Sequence, residues 1–119
     1  MSVKLFDSEL KVMNVLWDNG DMTAKSISDI LKEKIGWNMN TTYTVIKKCI
    51  SKGAVTRSEP NFMCHAEVTK QEIQQSELSD FVDRIFDGAA DKLFAALIDN
   101  KKMSDDEIQK LKDMVKELK

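Results

Sequence analysis

The sequence predicts a mainly α fold carrying a small β-hairpin, and three observations point there. Apolar residues recur at helical spacing from Leu10 to Leu118, in runs punctuated by glycines and capping residues. One short stretch, Val55 to Val68, reads instead as two strands around Glu59-Pro60-Asn61. Between Lys34 and Ser58 lie twenty-five residues without a single acid, in a chain whose net charge is −2.

The first helix is expected to start near Asp7 or Ser8 and to bury Leu10, Met13, Leu16 and Trp17. The second follows Thr23 and uses Ile27, Ile30, Leu31 and Ile35. The third runs from Asn40, a plausible N-cap, to Lys52. At about 100° per residue, Thr42, Val45, Ile46, Cys49 and Ile50 share one side of it. Thr41, Thr44, Lys47, Lys48 and Ser51 fall on the other, a face of hydroxyls and ammonium groups with no carboxylate to repel phosphate. Gly20, Gly36, Gly53 and Gly88 each follow a helical pattern, where a left-handed residue ends a helix most readily. Val55–Ser58 and Phe62–Val68 then form the hairpin. Three helices and a hairpin in this order make a winged helix-turn-helix, with the third helix in the recognition position and the hairpin as wing.

The last third is helical. Thr69-Lys-Gln-Glu72 and Ser104-Asp-Asp-Glu107 are capping boxes, flanked by Val68 with Ile73 and by Met103 with Ile108 at staple positions. Leu78, Phe81, Val82, Ile85 and Phe86 form one apolar stripe, and Leu93, Phe94, Leu97 and Ile98 another. Ile108, Leu111, Val115 and Leu118 repeat the pattern in the final helix. Short amphipathic helices beyond a finished core need cover. The economical source is a second copy, giving a winged domain at 1–69 and a helical dimerisation domain at 70–119. A bundle folding back on its own winged domain is the other possibility.

Composition narrows the function. A chain of 119 residues is one domain, or one with an appendage. Met1–Asp7 has no apolar run of leader type, and no stretch approaches the roughly 20 apolar residues needed to cross a bilayer. Two cysteines are too few for a disulfide framework, so the expectation is a soluble cytosolic protein without membrane insertion. Residues 1–70 carry 10 basic against 8 acidic side chains, net +2, and residues 71–119 carry 8 against 12, net −4. So mild a balance argues against charge-driven nucleic-acid binding and for placed contacts in a dimer. His65, the one histidine, stands beside Cys64 on a strand, where neighbours point to opposite faces. Cys49 lies on the buried face of the third helix. No enzyme, metal site or cofactor is expected.

Leu10-Lys-Val-Met-Asn-Val-Leu-Trp17, Thr23 opening a helix, Trp37 before Thr41, Thr44 and Lys48, and Lys52-Gly53 together resemble the penicillinase and methicillin-resistance repressor family. The similarity continues through Phe81-Val-Asp-Arg-Ile-Phe86 with Gly88 and resumes at Met103-Ser-Asp-Asp-Glu-Ile108. It implies a homodimeric repressor of β-lactamase or antibiotic-resistance genes. Its partner is a double-stranded operator, an inverted repeat of TACA/TGTA-like half-sites. Such repressors are relieved by proteolysis at an Asn-Phe bond, which aligns near Ala96-Leu97; the one Asn-Phe pair here is Asn61-Phe62, in the wing. Relief by an inactivating protease would therefore need another bond in the 90–103 segment. A copper-responsive branch ends in a cysteine cluster, whereas this chain has no thiol after Cys64.

Residue by residue, Thr41 and Thr44 suit base edges or a thymine methyl, and Asn40 a phosphate or an adenine. Lys48 stands where the family usually has Arg; it can reach guanine or phosphate but lacks the planar fork. Tyr43 borders the face, and either touches phosphate or packs on the second helix. Lys47 and Lys52 are phosphate candidates or solvated, and Arg57 is the wing candidate beside a turn less basic than the family's. Two other classes fit the same elements. In one the third helix meets an acidic protein partner; in the other a small molecule binds between the C-terminal helices.

Overall fold

The computed structural model describes residues 3–99 and 104–117. Among these described residues there are six helices: α1 (Asp7–Asn19), α2 (Ala24–Ile35), α3 (Met39–Ser51), α4 (Lys70–Ile85), α5 (Ala90–Asp99) and α6 (Asp105–Glu117). Three short strands accompany them, β1 (Met22–Thr23), β2 (Val55–Ser58) and β3 (Met63–Ala66). The fold class is the one expected, mostly helical with a small antiparallel sheet. The chain divides into two compact units, Met1–Glu77 and Leu78–Lys119, with the division inside α4.

In the N-terminal unit each helix gives one face to a single core. Val12, Met13, Val15 and Leu16 come from α1, Ala24, Ile27 and Leu31 from α2, and Val45, Ile46 and Cys49 from α3. These are the three- and four-residue spacings that the amphipathic pattern requires. Each fully buried aliphatic side chain contributes about 1.5–3 kcal/mol relative to exposure. Leu10, Trp17 and Ile30 pack at the margin, whereas Ile35 is 41% exposed and does not join the core as the periodicity suggested. It is the last residue of α2, where the chain turns away at Gly36 (φ 75°).

The capping chemistry refines the helix starts. Thr23 caps α2, its side chain accepting from the Ser26 N–H at 3.1 Å. Asn38, not Asn40, caps α3: its Oδ1 accepts from the Thr41 N–H at 2.8 Å, leaving Asn40 inside the first turn. At α1, Glu9 reaches back to the Phe6 N–H at 2.8 Å. Ser104 and Glu107 complete a capping box at α6, with bonds of 3.0 and 3.2 Å. At α4 the Glu72 N–H donates to Thr69 Oγ1 at 3.0 Å, while the Thr69 hydroxyl, rather than its backbone, donates to Glu72.

The sheet has the order β1-β3-β2. The hairpin aligns Val55 with Ala66 and Ser58 with Met63, and β1 adds Met22 opposite Cys64 on the other edge of β3. The returning strand is shorter than the Phe62–Val68 run expected, because Phe62 belongs to the turn and Val68 to the exit toward α4. The Trp17 Nε1–H donates to the Val68 carbonyl at 2.9 Å and ties that exit to the end of α1.

Candidate nucleic-acid interface

The turn Gly36-Trp37-Asn38 joins α2 to α3 and gives the helix-turn-helix its short connection. Burying Thr42, Val45, Ile46 and Cys49 leaves Asn40, Thr41, Thr44, Lys47, Lys48 and Ser51 exposed along the opposite face of α3. No carboxylate stands among them. Asn40, Thr41, Thr44 and Lys48 line one shallow depression together with Ser8, Trp37 and Val45. The Thr44 hydroxyl donates to the Asn40 carbonyl at 2.8 Å, so its free lone pairs and its methyl remain for a partner. Such a surface can accept from base amino groups, pack on a thymine methyl and hold a phosphate on Lys48. Ser8 was not singled out from sequence, because it precedes Thr41 by more than thirty residues and only the packing of α1 on α3 brings it there.

Three sequence candidates have internal partners. Lys52 has the most: its ammonium lies 2.5 Å from Glu9 Oε1 and 2.8 Å from the Lys4 carbonyl, over the Phe6 ring at 3.9 Å. As C-cap of α3 it ties the segment before α1 to the end of the helix, with its ammonium still partly exposed. Glu9 is 1% exposed. Burial alone pushes its pKa up, but the Lys52 ammonium and the Phe6 N–H together hold it below the ordinary 4.5. Tyr43 is half-buried, with its ring edge-on to Phe62 at 5.6 Å between centroids, so packing rather than solvent governs its position. Arg57 is exposed on β2; its Nε donates to Glu59 at 2.6 Å and its guanidinium stacks on Phe62 at 3.7 Å.

The remaining reactive groups stand apart. Cys49 and Cys64 are buried and free. Burial, helped by the Glu9 charge, pushes the Cys49 thiol up to about 12, and burial pushes Cys64 to about 11. Both are protonated thiols at neutral pH, unsuited to nucleophilic attack. His65, on the exposed side of β3, bonds Asp21 at 2.7 Å, which raises its pKa above 6.5. Among the described residues no group of three or more His, Cys, Asp or Glu side chains is placed to hold a metal ion. Nor, among them, is any helix long and apolar enough to cross a membrane.

The residues expected to pair subunits lie in the C-terminal unit. Leu78, Phe81 and Ile85 are 53%, 38% and 55% exposed along one side of α4, while Val82 is buried. Leu93, Phe94 and Leu97 on α5 and Ile108 on α6 are half-buried. The side chains of Leu111 and Val115 lie outside the described residues, as do Met103 and Leu118. The Ala96–Leu97 bond falls within α5.

Three packed helices, a two-stranded wing and an acid-free face on the third helix define the winged helix-turn-helix class. The same domain recurs in the solution structure of the DNA binding domain of the repressor BlaI. That likeness has a TM-score of 0.54 at 22% identity, and covers 59% of this chain and 88% of that one. It recurs in monomeric BlaI of Bacillus licheniformis in complex with the blaP half-operator, with a TM-score of 0.52 at 22% identity, over 60% and 90% of the two chains. The sequence profile of the penicillinase repressors matches residues 5–117, and the chain belongs to that family. It is 23% identical over 114 residues to the methicillin resistance regulatory protein MecI of Staphylococcus aureus (strain N315), covering 94% of this chain and 93% of MecI. It is 22% identical over 118 residues to the penicillinase repressor of Bacillus licheniformis, covering 98% and 92%.

Proposed function

We propose that this protein is a transcriptional repressor that binds an inverted-repeat operator in double-stranded DNA as a homodimer, seating the exposed face of α3 in the major groove. The observation that carries this reading is the row Asn40, Thr41, Thr44, Lys47, Lys48, exposed and free of carboxylates in a net-acidic chain. Family membership and the fold shared with BlaI support it. In this reading 1–69 is the DNA-binding domain and the helices from 70 onward pair the subunits. The exposed stripe Leu78, Phe81, Ile85 supports that pairing, because a second copy of the same stripe would cover it. The two recognition helices then address half-sites one helical turn apart, about 34–36 Å, or a multiple of it. The controlled genes are of the β-lactamase or antibiotic-resistance type, as in its named relatives. Relief by proteolysis in the 90–103 segment would remove subunit-pairing surface; because Ala96–Leu97 sits inside α5, that helix has to unwind before a protease can reach the bond.

Selection of sites from a random duplex library by the purified protein tests the reading. An enriched inverted repeat is expected. A folded protein that enriches no sequence refutes it and favours a protein partner for α3.

A further inference from the structure

We infer that Phe62 is a positioning residue of the wing: its ring, together with Glu59, holds the Arg57 guanidinium ready for a DNA phosphate and sets that cation relative to the recognition helix. This rests on the DNA-binding reading above. Phe62 adopts φ 52°, a left-handed conformation that bulky side chains rarely take, so its surroundings must hold it there. Three contacts do so. The Phe62 carbonyl accepts from the Ala24 N–H at 2.9 Å, at the first residue of α2. Its ring meets Tyr43 of α3 edge-on, the planes at 75°. The guanidinium of Arg57 lies 3.7 Å from the ring centroid.

Arg57 is thus gripped on one face by Phe62 and at Nε by Glu59 at 2.6 Å. Its terminal amino groups carry no hydrogen bond among the described residues, and the side chain is 44% exposed. A guanidinium held this way has already lost much of its rotamer freedom, yet keeps the pair of donors that a phosphate accepts from. Glu59 made the turn look poorly suited to DNA; here it is the acceptor that orients the one wing cation on β2. The chain of contacts Arg57–Phe62–Tyr43 runs from wing to α3, so the wing's phosphate contact and the helix's groove contacts are set by one rigid arrangement.

The test is the salt dependence of binding to a labelled mixed-sequence duplex. Each phosphate contact contributes about 0.9 to the slope of log affinity against log salt. Arg57→Ala should make the slope shallower by about 0.9. Phe62→Leu, which keeps apolar volume but loses the ring face, should reproduce that loss, Phe62→Tyr should restore the original slope, and the Arg57→Ala/Phe62→Leu pair should lose no more than Arg57→Ala alone. If Phe62→Leu fails to fold, Tyr43→Leu takes its place, expected to flatten the slope likewise. An unchanged slope for Arg57→Ala or for the folded leucine variant overturns the inference while leaving DNA binding intact. A wild-type protein without salt-dependent binding overturns the DNA reading itself.

Discussion

The two units of this chain are built from helices of similar amphipathic design, yet they treat their apolar side chains differently. In the N-terminal unit α1, α2 and α3 bury Met13, Ile27 and Ile46 completely, and the sheet closes the core with Val55 and Cys64. In the C-terminal unit the stripe of α4 leaves Leu78, Phe81 and Ile85 exposed, and α5 has no buried residue at all. An amphipathic helix demands cover for its apolar face but does not say which surface supplies it. The first unit supplies its own. The second leaves part of its stripe open among the described residues, the kind of surface that a second copy would complete in the proposed homodimer.

The largest effect should come from spoiling that open stripe. Phe81→Asp places a charge in the proposed subunit contact, and loss of bivalency should cost about 10²–10⁴-fold in affinity for an inverted repeat. The N-terminal unit should stay folded and single half-site affinity should hold. Sedimentation of the variant beside titration of whole and half operators measures all three; a dimer that survives the change breaks the comparison.

Next is a matched pair of truncations. Ile46→Ala empties a fully buried site and should destabilise by about 2–5 kcal/mol. Leu78→Ala, at a side chain already 53% exposed, should cost the N-terminal unit's unfolding transition nothing measurable. Denaturant unfolding followed by tryptophan fluorescence separates them, since Trp17 and Trp37 both pack on the N-terminal core.

A second pair sharpens the division within α3. Lys48→Ala should weaken binding by about 1–3 kcal/mol and relax base preference, with stability unchanged. Lys52→Ala should do the reverse, because it strands the buried Glu9 carboxylate without its cation. Since Lys52 is itself 27% exposed, water offsets part of that loss, and a destabilisation of about 1–3 kcal/mol is expected. Glu9 has its pKa lowered in the fold, so it contributes stability above pH 4.5, and that contribution is lost as pH falls through its folded value. Glu9→Gln should flatten the acid limb of the stability profile.

These pairs also show what was legible in the sequence. The helix order, the hairpin and the strand Val55–Ser58 follow from local periodicity and turn chemistry, and the structure has them. The face of α3 was legible because a helix wheel needs only neighbours within two turns. The Lys52–Glu9 pair is not legible in the sequence, because the two residues lie 43 positions apart and no local pattern pairs them. Strand β1 is two residues long, shorter than any window in which alternation can register. Asn38 and Asn40 are equally good caps by residue type; only the bond to the Thr41 N–H decides between them. Phe62 read as the first residue of a strand, and its left-handed turn depends on Tyr43, Arg57 and Ala24 closing around it.

The smallest expected effect lies on the exposed side of the sheet, where His65 of β3 meets Asp21 at 2.7 Å and has Glu67 at 4.0 Å. The hydrogen bond to Asp21 and the charges of both carboxylates raise the histidine's pKa above 6.5 in the fold. A raised value means the pair stabilises fully below pH 6.5 and stops contributing as pH rises through the folded value. Water screens so open a pair, so the change should be slight. Asp21 directly precedes β1, and the bond therefore pins the short strand to its neighbour β3. His65→Gln should remove the histidine's own contribution just above pH 6.5, while leaving in place the acid limb to which Glu9 contributes and the fall toward pH 9 that the two buried thiols impose. Melting temperatures of both proteins from pH 5 to 9 decide it. Parallel curves above pH 6.5 would show that the pair contributes nothing and that the backbone ladder alone holds β1.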